Sequence, residues 1–325
     1  MRVTLVLTHD CNLRCGYCYS GEKTDRPMSD KVAWKALQLA FQQARPDQLN
    51  HISFFGGEPL LHFEKMVCWT RLIWRWRQKT GYPVALQMTS NATLLNDSVL
   101  HFLAHYRFQV AFSVDGLGEN HDRHRPFTSG RPSSQVVWRN LARAAPRLPD
   151  ATIQMVLNPD TVAGVPEALT ELRRLGYSRI SLLPNMEADW SGVSQERLQT
   201  VYRAWRPPLP QADLPCETSA SLRRCGFGHS EIAVAPSGTL YPCARLVGAD
   251  QRQSIQCGHV ARGIDREKLR KIGERARVKD AAVGISGGCG CITFMPGDLL
   301  HQLNNVRAFA NLEKAPMTKL AKHIE

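Results

Sequence analysis

The chain has no run of about 18 uncharged apolar residues, which excludes a membrane-spanning helix. Its first residues, MRVTLVLTHD, lack the basic region and small-residue cleavage site of a signal peptide. They read as a strand, and the protein is expected in the cytoplasm. No internal repeat or low-complexity segment is present, so solenoid and fibrous architectures fall away. Acidic residues are in short supply. The 29 Asp and Glu face 41 Lys and Arg, for a net charge of +12. The basic residues are scattered (WRWRQK, RHRPFTSGR, ERARVK) and no RNA-recognition signature appears, so no nucleic-acid partner is expected. The charge is compatible with an acidic peptide partner.

Disulfides are also not expected. Ten cysteines in a cytoplasmic chain point to metal or redox chemistry. Cys11, Cys15 and Cys18 crowd the N-terminus, and Cys216, Cys225, Cys243, Cys257, Cys289 and Cys291 lie late in the chain. Cys68 stands alone in the helix-like KMVCWTRLIW, where a small buried hydrophobe is the expected role.

Hydrophobic residues make up 43% of the 325, enough for one large α/β domain or a large domain with a small one. Residues 3–8, 51–55, 83–90, 108–114, 151–157 and 179–185 are strand-like. Helical periodicity fills 31–44, 60–80, 96–106, 133–145 and 165–177, with Ser29 or Asp30 as the first N-cap and Gly176 near the last helix end. Alternation of this kind implies a parallel sheet with right-handed crossovers. It is too short for eight strands, so the fold class is α/β, an open, partial (β/α)6 TIM-like barrel spanning 1–190. A mixed, Pro-rich linker is expected over 191–215 and a small domain over 216–325. In the latter, EIAVAP-SG-TLYPC reads as two short strands around a turn at Gly238, and short helices end the chain.

Cys11, Cys15 and Cys18 follow the first strand directly, on the edge where α/β barrels build their sites. The spacing is C-x3-C-x2-C. A zinc site favours paired C-x2-C hooks with a fourth Cys or His, and His9 is close in sequence. An iron–sulfur cluster is held by thiolates, and three of them leave one iron of four open. Three further strand ends carry polar or glycine-rich segments: FFGGEPLL (54–61), MTSNATLL (88–95) and FSVDGLGENHDRHRP (112–126). A Gly-Gly pair permits close backbone approach, and Ser90 and Asn91 suit either a site mouth or a local Asx turn.

With Tyr17 just before the third cysteine, these segments together resemble the radical S-adenosylmethionine (SAM) superfamily. The resemblance covers residues 3 to about 185. It implies a [4Fe–4S] cluster on Cys11, Cys15 and Cys18, whose open iron binds SAM. It further implies reductive cleavage of SAM to a 5′-deoxyadenosyl radical that abstracts hydrogen from a substrate. Cofactor contacts are implied for Tyr17, Gly56, Gly57, Glu58 (to the SAM ammonium), Ser90, Asn91, Ser113 and Asp115. Ala92 stands where the family usually has glycine. His121, Asp122 and Arg125 are expected to pack their loop and form a local ion pair, with Arg125 or Arg131 as alternatives for the SAM carboxylate.

Cys225 and Cys243 frame C-x12-G-x4-C, which looks like the opening of a SPASM or shorter twitch extension. A full extension would need more cysteines, so one auxiliary [4Fe–4S] cluster is implied. Its implied ligands are Cys225, Cys243, Cys289 and Cys291, with Cys216 as a substitute and Cys257 structural. Ala244 follows Cys243 where sulfatase-maturating relatives usually carry an aspartate. Alanine cannot accept a proton, which favours a maturase of ribosomally made peptides (crosslinking or epimerising). The general base is not identified. A peptide or protein substrate and an external electron donor are the implied partners. The chain starts at its first strand, so a separate leader-binding protein or another surface is expected. The alternatives are a twitch-type enzyme acting on a small molecule, and a non-catalytic metal or nucleic-acid-binding module.

Overall fold

The computed structural model describes residues 1–185, 187–204 and 226–282. The Pro-rich stretch 206–215, Cys216, Cys225, Cys289, Cys291 and the expected C-terminal helices lie outside the described residues.

The chain runs β1 (Arg2–Val6), α1 (Asp30–Gln43), β2 (Asn50–Phe55), α2 (Phe63–Thr80), β3 (Val84–Ser90), α3 (Asp97–His105) and β4 (Gln109–Ser113). It continues with α4 (Gly118–Asp122), α5 (Ser134–Ala144), β5 (Thr152–Leu157), α6 (Val165–Arg174), β6 (Arg179–Pro184) and α7 (Gly192–Ala204). Then come β7 (Glu231–Val234), β8 (Leu240–Tyr241), β9 (Gly258–His259), β10 (Gly263–Ile264) and α8 (Arg266–Ala282). The six repeating strands are parallel and in sequence order, as a partial barrel requires.

Local chemistry sets the element ends. Ser29 caps α1 by accepting from the Val32 N–H at 3.3 Å, and Asn96 caps α3 by accepting from the Val99 N–H at 2.9 Å. Alternation along the strands sorts the two faces. Val3, Leu5, Ile52, Phe54, Leu86, Met88, Val110, Phe112, Ile153 and Met155 are buried on the helix side. The other face carries Thr4, Ser53, Gln87, Thr89, Ala111 and Gln154, where a closed barrel would stack branched aliphatics. There the Ser53 hydroxyl donates to Gln87 Oε1 at 2.9 Å, and Gln87 Nε2 donates to Gln109 Oε1 at 2.7 Å. The partial barrel therefore has a polar inner face.

Three features differ from expectation or add to it. Residues 192–204, read as linker, form helix α7. Leu198 and Val201 are buried and the Tyr202 hydroxyl bonds the Leu182 carbonyl at 2.8 Å, so the helix packs on β6 and completes the sixth βα unit. Its apolar residues are few, which hid it. Cys68 is exposed rather than buried. Met66, Trp69, Thr70 and Ile73 take the buried stripe of α2 and leave Cys68 on the other side. Finally, β7 and β8 form the expected hairpin, with Gly238 at φ +93° in its turn. That hairpin continues the barrel sheet, because β7 pairs parallel with β1 from Arg2↔Glu231 to Leu5↔Val234 and covers the edge of β1.

Candidate active site

The chain leaves β1 through a tight turn built by its own side chains. The Asp10 N–H donates to Thr8 Oγ1 at 3.0 Å, and the Cys11 N–H donates to Asp10 Oδ1 at 2.8 Å. The segment after α4 straps the cysteine loop on its far side. Arg14 N–H donates to the Pro126 carbonyl at 2.9 Å, Gly16 N–H to His124 at 3.0 Å, and Thr128 N–H to Asn12 at 3.0 Å.

The Gly-Gly-Glu segment after β2 extends the β1–β2 pairing outward. Gly57 N–H donates to the Thr8 carbonyl and Glu58 N–H to the Asp10 carbonyl, each at 2.9 Å. A Cβ on Gly57 would stand 2.0 Å from the Asp10 carbonyl oxygen, and one on Gly56, at φ +151°, 2.5 Å from that of Thr8. The neighbour these glycines admit is the loop that carries the cysteines.

Glu58, expected to face an ammonium group, is fully buried. Its Oε1 accepts from the Leu60 N–H and the Ser90 hydroxyl, both at 3.0 Å, and its Oε2 from the Asn91 N–H at 2.7 Å. It ties the end of β2 to the end of β3. Burial raises its pKa to about 7 against these donors. Asn91 closes an Asx turn by accepting from the Thr93 N–H at 3.0 Å. Its Nδ2 reaches Asn12 Oδ1 at 2.9 Å and Cys11 Sγ at 3.7 Å. Both sequence readings of Asn91 are thus present in one side chain. Ala92 has φ +63°, the left-handed region that makes glycine the usual occupant.

At the end of β4, Ser113 is half-buried and Asp115 is buried. Asp115 Oδ1 accepts from the Val156 N–H at 3.0 Å, while Oδ2 accepts from the Tyr17 hydroxyl and pairs with Arg125 Nε at 2.9 Å. The Arg125 guanidinium lies 5.4 Å over the Tyr17 ring. Burial drives the Tyr17 phenol well above its usual pKa, so it stays a donor. Asp122 caps α5 by accepting from the Ser133 and Ser134 N–H groups, each at 2.7 Å. His121 Nδ1 accepts from the Asp115 N–H at 3.3 Å, and its Nε2 sits 3.1 Å from Ser133 Oγ, which donates to the Arg125 carbonyl at 2.6 Å. That arrangement makes His121 the neutral Nε2–H tautomer, and burial lowers its pKa to about 4.

These two shifts have opposite consequences for stability. The contribution of His121 is present above pH 6.5 and lost as pH falls through about 4. That of Glu58 is present below pH 4.5 and lost as pH rises through about 7. Each is worth about 3 kcal/mol and they oppose one another. Denaturant unfolding between pH 4 and 8 is expected to show a steeper acid loss in Glu58→Gln than in the parent chain. His121→Gln is expected to gain stability on acidification; parallel profiles for all three would refute the assignment.

Every cysteine sulfur in the loop meets an N–H donor. Cys11 Sγ accepts from the Leu13 N–H at 3.4 Å, besides Asn91. Lys23 Nζ lies 3.0 Å from Cys18 Sγ, and Arg125 Nη1 lies 3.9 Å from Cys15 Sγ. Burial raises the Cys11 thiol to about 12 and raises that of Cys15. At Cys18 burial is outweighed by Lys23 together with hydrogen bonds from Ser20, and the pKa falls. Donors of this kind favour sulfur as thiolate. Among the described residues, no three His, Cys, Asp or Glu side chains converge as on a single metal ion. Thiolates on separate irons of a cluster need not converge, so the donor set fits a polynuclear iron–sulfur group. His9 is buried with neither ring nitrogen hydrogen-bonded among the described residues, and burial lowers its pKa. Lys23 lies outside every motif the sequence presented; its closeness to Cys18 was its one signal.

The loop after Cys243 packs onto this site. The Arg245 guanidinium lies 4.9 Å over the Tyr19 ring, and Tyr19 stacks on Phe55 at 6.3 Å. Cys243 and Cys257 are both buried, and the Cys257 N–H donates to the Leu240 carbonyl at 2.7 Å, anchoring the hairpin.

A partial parallel barrel with three thiols on the loop after its first strand defines a class. Residues 5–172 match the family model described as the Radical SAM superfamily, and the chain belongs to that family. The family implies a [4Fe–4S] cluster and SAM as cofactors. Among curated relatives, the chain is 23% identical to the serine-type anaerobic sulfatase-maturating enzyme of Klebsiella aerogenes over 269 residues, covering 74% of this chain and 66% of the relative. It is also 23% identical to the sporulation killing factor maturation protein SkfB of Bacillus subtilis, covering 85% and 65%. A Methanocaldococcus jannaschii protein of uncharacterised function is 33% identical over 133 residues, covering 40% and 43%. The match thus spans about two-fifths to two-thirds of these relatives' own lengths. In fold, the chain is similar to native anSMEcpe with bound AdoMet, with a TM-score of 0.69 at 16% identity, covering 96% of this chain and 99% of that one. Streptococcus suis SuiB bound to its precursor peptide SuiA gives a TM-score of 0.55 at 16% identity, covering 78% and 62%. Among the described residues no helix is long and apolar enough to cross a membrane.

Proposed function

We propose that this protein is a radical SAM enzyme that modifies a peptide or protein substrate, working in the cytoplasm with an external one-electron donor. The observation that carries the reading is the cysteine loop itself: three sulfurs at the carboxyl edge of a partial barrel, each met by an N–H donor. Cys11, Cys15 and Cys18 would hold the cluster, and SAM would lie against the Gly56–Glu58 loop and the ends of β3 and β4. Once bound, the cluster and SAM supply a one-electron reductive cleavage that delivers a hydrogen-abstracting radical.

The chain's residues set the stage for that chemistry. Glu58, Ser90 and Asn91 lock two strand ends together by hydrogen bonds and shape the cofactor wall. Tyr17 and Asp115 fix the third strand end against the cysteine loop. Ser113 offers a half-buried hydroxyl at the inner rim. The polar inner face, with its Ser53, Gln87 and Gln109 ladder, suits the amide groups of a peptide. The two relatives named for maturation support a peptide or protein target. An auxiliary [4Fe–4S] cluster on Cys243 with Cys225, Cys289 and Cys291, or Cys216 in exchange for one of them, belongs to the same reading.

The test is anaerobic reconstitution with iron and sulfide, followed by SAM and dithionite. Formation of 5′-deoxyadenosine is expected, and Cys15→Ala should abolish it, since in this reading the thiolate is a direct ligand of the cluster. Unchanged cleavage in that variant would refute the reading. Adding candidate precursor peptides and measuring mass then identifies the product: loss of two hydrogens for crosslinking, deuterium uptake from heavy water for epimerisation.

A further inference from the structure

Two of the three sulfurs in the cysteine loop have a cation in direct contact among the described residues. Lys23 Nζ stands 3.0 Å from Cys18 Sγ. Arg125 Nη1 stands 3.9 Å from Cys15 Sγ while its Nε is 2.9 Å from Asp115 Oδ2. The buried Asp115–Arg125 pair is therefore a dipole with its positive end on Cys15. Among the described residues, Cys11 Sγ accepts from neutral donors, the Leu13 N–H and Asn91 Nδ2, and feels the Lys23 charge at longer range. Arg125 has no freedom to leave. It is buried, its carboxylate partner is buried, and its guanidinium lies over Tyr17.

We propose that Lys23 and Arg125 set the reduction potential of the cluster on Cys11, Cys15 and Cys18. They are positioning residues that act through the sulfurs of Cys18 and Cys15. This rests on the reading of the loop as a cluster-binding loop. The step concerned is a one-electron reduction: the external donor loses one electron and the cluster gains one, with no bond made or broken. The added negative charge spreads onto the thiolate sulfurs. A fixed cation beside a sulfur stabilises the reduced form more than the oxidised form and raises the potential. The two cations differ in setting. Lys23 is half-buried and is screened by salt, whereas Arg125 is sealed from solvent and is not.

The experiment is a redox titration followed by electron paramagnetic resonance on the anaerobically reconstituted full chain. It reads the signal that changes on adding SAM, with iron per chain measured in parallel. Lys23→Gln and Arg125→Gln are each expected to shift the midpoint to lower potential, and Lys23→Arg and Arg125→Lys to stay near the parent value. The difference between the parent chain and Lys23→Gln should shrink as salt is raised, and that for Arg125→Gln should persist. Parent-like potentials in both Gln variants at full iron loading would overturn the proposal. So would a parent-like potential in Arg125→Gln combined with weaker SAM binding, which would place Arg125 on the cofactor carboxylate. Should Arg125→Gln fail to retain iron, Lys23→Gln decides alone, because its side chain supports no buried partner. A parent chain that binds no iron would instead refute the cluster reading itself.

Discussion

Replacing Gly57 with alanine is expected to strip the cysteine loop of its cluster and abolish SAM cleavage. The new Cβ would stand 2.0 Å from the Asp10 carbonyl oxygen, 2.5 Å from its carbonyl carbon and 2.8 Å from the His9 oxygen. All three atoms are backbone, so no side chain can swing aside. Either the Gly-Gly-Glu segment or the cysteine loop must move, and the hydrogen bonds from Gly57 and Glu58 to Thr8 and Asp10 break with it. Overpacking against rigid backbone costs about 3 kcal/mol, at the upper end of its usual range. The site loses more than the fold does, because ligand sulfurs must be placed to a few tenths of an ångström. Gly16→Ala is the control. It lies between the same cysteines, but its Cβ would meet only His124 Nδ1, at 3.9 Å, so iron content and cleavage should remain. Equal iron retention in both variants would contradict the argument.

Replacing Asp115 with asparagine is expected to be the most destabilising single polar change at this site. Asp115 holds Val156, Tyr17 and Arg125 at once. Removing its charge leaves a buried guanidinium beside Cys15 with no carboxylate, a loss of about 3–5 kcal/mol for a broken buried pair. Denaturant unfolding should show that loss. The double variant Asp115→Asn/Arg125→Gln should recover part of it, because removing both charges avoids the orphaned one. Additive losses would mean that the two residues do not work as a pair.

Much of this was legible in the chain. The apolar, strand-like runs VTLVL, HISFF and VALQMTS announced strands, and Ser29 or Asp30 announced the first helix start. Such signals are local, set by residues a few positions apart. The cysteine spacing and the three strand-end segments were legible for the same reason. What the motifs do within the site was less so. Asp115 and Glu58 read as ligand contacts, yet their present partners are the chain's own groups. Cys68 fell on the wrong side of its helix because neighbouring Trp69 and Met66 bury more apolar area and turn the stripe toward themselves.

By itself the sequence determined the thiol set, the succession of strands and helices and the polar or glycine-rich segments at strand ends, because these follow from spacing along the chain. Only the tertiary structure decided that β7 pairs beside β1, that Arg125 points its charge at Cys15, and that Gly57 meets Asp10. Each joins segments far apart in sequence. Their pairing is selected by which sheet edge is open and which buried charge lacks a partner, quantities that exist only once the barrel has formed.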